Sequence, residues 1–218
     1  MSRSQKQAGM YLLVPCLFLL ILVGIYKIAG ISIENYVTSQ LYMVIEKGNP
    51  DYQKYPSDTQ IEAAFKKVDR IEKSEVQYPV VGERYAKISC EDIGLDVFLY
   101  FGDDEEILKH GAGQYAKSAL PGFGGTVLVC GYDTTYMSSL SEIEVGNIVN
   151  VDTEYGRYQY AVRETKVVKS EDIAACQLDS KTEQLVMYTS YPFGEILTAR
   201  NEKFFVYCDK ISGPEVED

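Results

Sequence analysis

Ser190 closes the hydrophobic run of LVMYTSYPFG (residues 185–194), just ahead of a turn enforced by Pro192 and Gly194. A small hydroxyl at a strand end, before a turn, is a natural seat for the nucleophile of an acyl transfer. A serine hydroxyl attacks only when a base sits beside it. The segment TVLVCGYDTTY (126–136) offers two more reactive groups, Cys130 and Tyr132. Two residues apart on a strand, they point to one face. Tyrosine, with an ordinary pKa of about 10, donates a hydrogen bond at neutral pH but is a poor base. Cys130 reads either as a displaced nucleophile or as a small buried hydrophobe. Arg200, in LTARNEKFF, could hold a carboxylate or a backbone carbonyl.

Other chemistries find little support. His110 is the single histidine, and no pair of the five cysteines is spaced C-x-x-C, so no zinc site is expected. Cys90, Cys130, Cys176 and Cys208 permit three full pairings, and spacing does not choose among them. The run Asp103-Asp104-Glu105-Glu106 lacks the alternating ligands of a calcium loop; acids there suit the start of a short helix. No metal and no cofactor is expected.

The elements that must position these groups are mostly strands. Residues 84–89, 95–101, 126–131, 147–152, 157–169, 184–190 and 203–211 are short, rich in β-branched and aromatic residues, and bounded by Gly, Asp, Asn or Pro. GRYQYAVRETKVV alternates as a half-buried antiparallel strand does. Short helical pieces fit at 103–109 and 137–143, and Ile61, Ala64, Phe65, Val68 and Ile71 recur at helical spacing, predicting a helix over 60–72. Seven or eight strands with few helices imply a mainly β fold, a closed barrel or sandwich.

The chain has 218 residues and a net charge of −11. From Met10 to Ile33 it is apolar except for Lys27, long enough to cross a hydrocarbon core of about 30 Å. Arg3 and Lys6 precede this run and no acid does, which predicts a cytoplasmic N-terminus (1–9), a membrane anchor (10–33) and an exported remainder. Beyond Ile33 there are 18 basic and 32 acidic side chains, a net of −14, which disfavours nucleic acid and anionic lipid faces as partners.

Three segments together carry a resemblance: LKHGAGQYAKSALPGFGG (108–125), TVLVCGYDTTY (126–136) with the Gly-Asn-x-Val turn at 146–149, and QLVMYTSYPFGEILTARNEKFFV (184–206). Their order and spacing resemble the sortases, membrane-anchored cysteine transpeptidases, and the class D branch most. The resemblance covers roughly 83–211. It implies a sortase-type closed β-barrel; ahead of it, residues 34–82 read as a stalk with an amphipathic helix, and 212–218 follow as a short C-terminal tail. In that family a cysteine attacks a Leu-Pro-x-Thr-Gly-like signal, a histidine protonates the leaving amine and an arginine steadies the substrate. The cysteine of the Thr-Cys-Tyr-Pro-Phe pattern falls on Ser190, the histidine of the Gly-His-Arg/Asn pattern on Tyr132, and the arginine on Arg200. Gln114 stands where a further histidine often follows the Gly-x-Gly; with Tyr115 and Tyr191 it is expected at the peptide groove. The resemblance thus implies a catalytically impaired sortase at the outer membrane face. It would bind sorting-signal or pilin-like peptides, or assist an active sortase. Residual transpeptidase or peptidase action through Ser190 or Cys130, and a purely structural surface domain, are the alternatives.

Overall fold

The computed structural model describes residues 3–26, 31–47, 69–196 and 200–217. Its centre is a closed barrel of eight strands: β2 (Arg84–Cys90), β3 (Leu95–Phe101), β4 (Ala112–Gln114), β5 (Thr126–Cys130), β6 (Ile148–Thr153), β7 (Arg157–Lys169), β8 (Gln184–Tyr191) and β9 (Glu202–Ser212), joined in the order β2-β3-β4-β5-β8-β9-β7-β6. Most neighbours are antiparallel, but β3 pairs β4 and β5 pairs β8 in parallel. Closure leaves the barrel no unpaired edge. Inward-facing Val127, Val129, Leu185, Met187, Val206 and Cys208 fill the centre with Ile88, Leu99, Val149 and Tyr160. Alternation places the other set outside. Leu128, Val186, Phe205 and Tyr207 form a second cluster on the outer face of β5, β8 and β9.

The Gly-x-Gly at 111–113 has a steric cause. A Cβ on Gly111 would lie 2.6 Å from the Phe98 carbonyl oxygen, and one on Gly113 would lie 2.5 Å from that of Gly102. Only bare backbone lets β4 slide in beside β3. The acidic run starts a helix, α3 (Glu105–Leu108), whose first turn is capped by the Asp104 carboxylate accepting from the Ile107 N–H at 3.1 Å. A 3₁₀ turn over Ser138–Glu142 replaces the short helix expected there.

Two helices precede the barrel: α1 (Arg3–Ile25) and α2 (Ile31–Lys47). Among the described residues no helix is long and apolar enough to cross a membrane. From Leu13 to Ile25, α1 nonetheless exposes large aliphatic and aromatic side chains. The helix expected over 60–72 is corrected at its end. Arg70–Glu72 is a strand, β1, pairing in parallel with β10 (Glu215–Glu217). Pairing with a distant segment overrides the local helical period, and only Ile71 of the three turns inward. Residues 60–68 lie outside the described residues. The expected C-terminal tail is likewise ordered as β10. All the cysteines of the barrel, Cys90, Cys130, Cys176 and Cys208, are free thiols.

Candidate functional site

The site lies where β5 and β8, side by side and parallel, run out. Their last pair is Cys130 with Tyr188. Tyr132 follows the end of β5 by two residues, and Ser190 lies near the end of β8. Thr189 ties the strands between these positions, its hydroxyl donating to the Gly131 carbonyl at 2.7 Å. On the other side of β8, Ser190 pairs with Lys203 of β9, and Arg200 stands just ahead of that strand. The fold therefore brings Ser190, Tyr132 and Arg200 to one end of the barrel.

Their connections are not those of a nucleophile, a base and a free cation. Ser190 is half-buried, and among the described residues its hydroxyl makes no hydrogen bond. Burial, reinforced by Glu105, Cys130 and Glu106, pushes the Tyr132 phenol up to about 12. Loss of its proton at neutral pH is thus more disfavoured than for free tyrosine. Cys130 is almost fully enclosed. Burial pushes its thiol up to about 12 despite a hydrogen bond with Tyr188, so the thiolate that attack requires is suppressed.

Arg200 is held by a residue that the sequence reading passed over. Its Nη1 donates to Asp133 Oδ2 at 2.6 Å and to the Pro192 carbonyl at 3.1 Å. The same Asp133 oxygen accepts from the Gly194 N–H at 2.7 Å. The Asp133 side chain is 1% exposed and that of Arg200 18%, so the pair is largely desolvated. Asp133 follows Tyr132, where the family pattern has Arg or Asn; that reversed charge was the available signal.

Two hollows flank Arg200. A cavity of about 160 Å³ is lined by Tyr132, Thr134, Glu105, Glu195 and Ile196, and by Tyr36 from α2. α2 lies against this side of the barrel. Gln40 Nε2 donates to the Thr134 carbonyl at 2.9 Å, and the Tyr42 ring lies 4.2 Å from that of His110. A larger cleft of about 800 Å³ opens between the β7–β8 and β8–β9 loops, with Tyr191 and Pro192 beside Lys169, Glu171 and Glu202. Tyr191 lines this cleft, and Tyr115 packs on the outer cluster. Gln114 does not line it. It is fully buried inside the barrel, accepting from the Tyr85 hydroxyl and donating to the Ala119 carbonyl. Among the described residues no group of three His, Cys, Asp or Glu is placed to hold a metal ion.

The sortase-domain family model matches residues 88–211, which span the barrel from β2 to β9. The chain belongs to the sortase family. Sortase D of Bacillus subtilis is 25% identical over 134 residues, covering 62% of this chain and 67% of that one. Among solved structures, a Clostridium perfringens sortase D transpeptidase superposes with a TM-score of 0.55 at 17% identity, covering 74% of this chain and 93% of the other. Streptococcus pneumoniae sortase C, described for its catalysis and pilin substrate specificity, gives 0.54 at 19% identity over 61% of this sortase-family chain and 71% of its own. At these identities the two structures support the sortase fold.

Proposed function

We propose that this sortase-family protein is a catalytically silent member, anchored by residues 10–33 with residues 1–9 inside and the barrel domain (83–211) facing outward. Its role is to hold a sorting-signal or pilin-like peptide, or to assist an active sortase, rather than to cut and rejoin a chain. The observation that carries this reading is the Arg200–Asp133 pair. The one family-type catalytic group that survives at its position is neutralised by a buried carboxylate 2.6 Å away. Around it, the positions matching the family's cysteine and histidine hold a hydroxyl without a base and a phenol that keeps its proton. Loss of nucleophile or base in a comparable hydrolase costs on the order of 10⁶ in turnover.

The cleft between the β7–β8 and β8–β9 loops is large enough to seat a peptide segment. The exposed apolar side chains of α1 and the uncharged sequence from Met10 to Tyr26 support the anchor. The deciding experiment presents the whole protein in vesicles with a panel of sorting peptides and an amine acceptor, following binding by fluorescence anisotropy and cleavage by mass spectrometry. Binding without cleavage is expected. Transfer of a threonyl group to the amine by the native sequence would end the silent reading in favour of catalysis through Ser190 or Cys130. Absence of binding would favour a structural surface domain.

A further inference from the structure

α2 has two faces of different character. Toward the barrel it presents Ser39, which is fully buried, Met43, which packs against the core, Gln40, bonded to Thr134, and Tyr36 in the cavity beside Arg200. Away from the barrel it presents Ile33, Val37, Leu41, Val44 and Ile45, exposed by 47%, 56%, 58%, 69% and 56%. At about 100° per residue these five fall within about 120° of arc, opposite the barrel-packed side. Glu34, in the first turn, is exposed within the same arc, between Leu41 and Ile45. A soluble surface rarely leaves such a contiguous aliphatic stripe bare.

Position in the chain says what covers it. α1 ends at Ile25 and α2 begins at Ile31. The five peptide steps from Tyr26 to Ile31 reach at most about 18 Å. The start of α2 therefore cannot stand far from whatever surrounds the apolar end of α1.

We propose that the outward stripe of α2 lies in the bilayer surface, so that this helix is a platform between the lipid and the barrel. The inference rests on the reading of the apolar run from Met10 as a membrane anchor, one that leaves the bilayer core before α2 begins at Ile31. An amphipathic helix of this kind settles with its apolar side chains about 5–10 Å into the headgroup boundary. The occupant is lipid rather than a second copy because the membrane is brought within reach by the chain itself. The contact is apolar in origin. With a net of −14 beyond Ile33, charge gives this domain no attraction to anionic headgroups, so the contact forms on zwitterionic lipid and withstands salt. It also fixes the orientation of the site, because Tyr36, on the opposite side of the same helix, walls the Tyr132–Arg200 cavity.

The chain has no tryptophan, so single tryptophans report cleanly. The full chain carrying Val44→Trp, and separately Val37→Trp, is reconstituted into phosphatidylcholine vesicles with and without brominated acyl chains. Val145→Trp, exposed on a loop between β5 and β6, is the control. The expected result is that both α2 probes are blue-shifted and lose most of their emission to bromine, in low and in high salt, while the Val145→Trp probe is unaffected. Vesicle flotation is run alongside. If the chain floats with the vesicles but the α2 probes stay unquenched, the platform is refuted and the anchor stands. If the chain does not float, the anchor reading falls and takes the platform with it. Unquenched but blue-shifted α2 probes, with energy transfer between labelled copies, would assign the stripe to a second copy and overturn the proposal.

Discussion

At the scale of single residues, Asp133 governs what the site can do. It neutralises Arg200 and at the same time accepts from the backbone of Gly194. Asp133→Ala leaves a largely buried guanidinium without its counter-charge. A loss of about 3–5 kcal/mol is expected, read from urea unfolding of the barrel. The same pair sets a second expectation. Ser190→Cys with Tyr132→His restores two groups of the family pattern but leaves Arg200 engaged, so acyl transfer stays weak. Adding Asp133→Asn frees the cation and raises transfer by about 10²- to 10³-fold over the double variant, the worth of one oxyanion donor. Equal rates in the double and triple variants would show that Arg200 is not what limits the site. The positions of Ser190, Tyr132 and Arg200 at one barrel end were legible in the sequence, because motif order fixes which strands end together. The consequence of Asp133 was not, since it depends on a loop carbonyl and a loop amide that meet only in the fold. Gln114 was misplaced for a related reason. A three-residue strand gives too little alternation to tell inside from outside.

At the scale of elements, close approaches are the sensitive points. Gly213 turns the chain from β9 into β10 with φ at +125°, and a Cβ there would lie 2.5 Å from the Tyr158 ring. Gly213→Ala meets both backbone strain and a packed aromatic, and should cost about 1–3 kcal/mol, lowering Tm by several degrees in a thermal scan. Asp104→Ala removes the cap of α3 and should cost about 1 kcal/mol. A null effect would mean that α3 is held by its contacts alone. Seven barrel strands were legible within a residue or two, because each is a run rich in β-branched and aromatic residues bounded by turn formers. β4 and the β1–β10 pair were not. Their three residues apiece carry no period, and their partners lie far away in sequence.

Across the whole molecule, the burial that makes the barrel stable also sets its pH limit. Cys130, Tyr132 and Tyr207 are each pushed up to about 12, first by desolvation, and Tyr160, Tyr188 and Cys208 are raised by the same cause. A raised pKa means that the fold binds these protons more tightly than the unfolded chain does. The stabilisation is complete below the ordinary values of 9.0 for the thiols and 10.0 for the phenols, and fades as pH climbs through the folded values. The urea midpoint should therefore fall steeply above pH 10. A midpoint that does not change in that range would contradict the assigned burial.

The short β1–β10 pair has a mechanical meaning. The strands run in parallel, with Arg70 opposite Glu215 and Glu72 opposite Glu217, and the Glu215 N–H reaches back to the Asp69 carbonyl at 3.0 Å. Tension applied between the segment preceding Asp69 and the end of β10 would pull these strands past each other lengthwise, loading their bonds together instead of peeling them one by one. A pull applied across these two ends would meet this clasp before it reached the barrel.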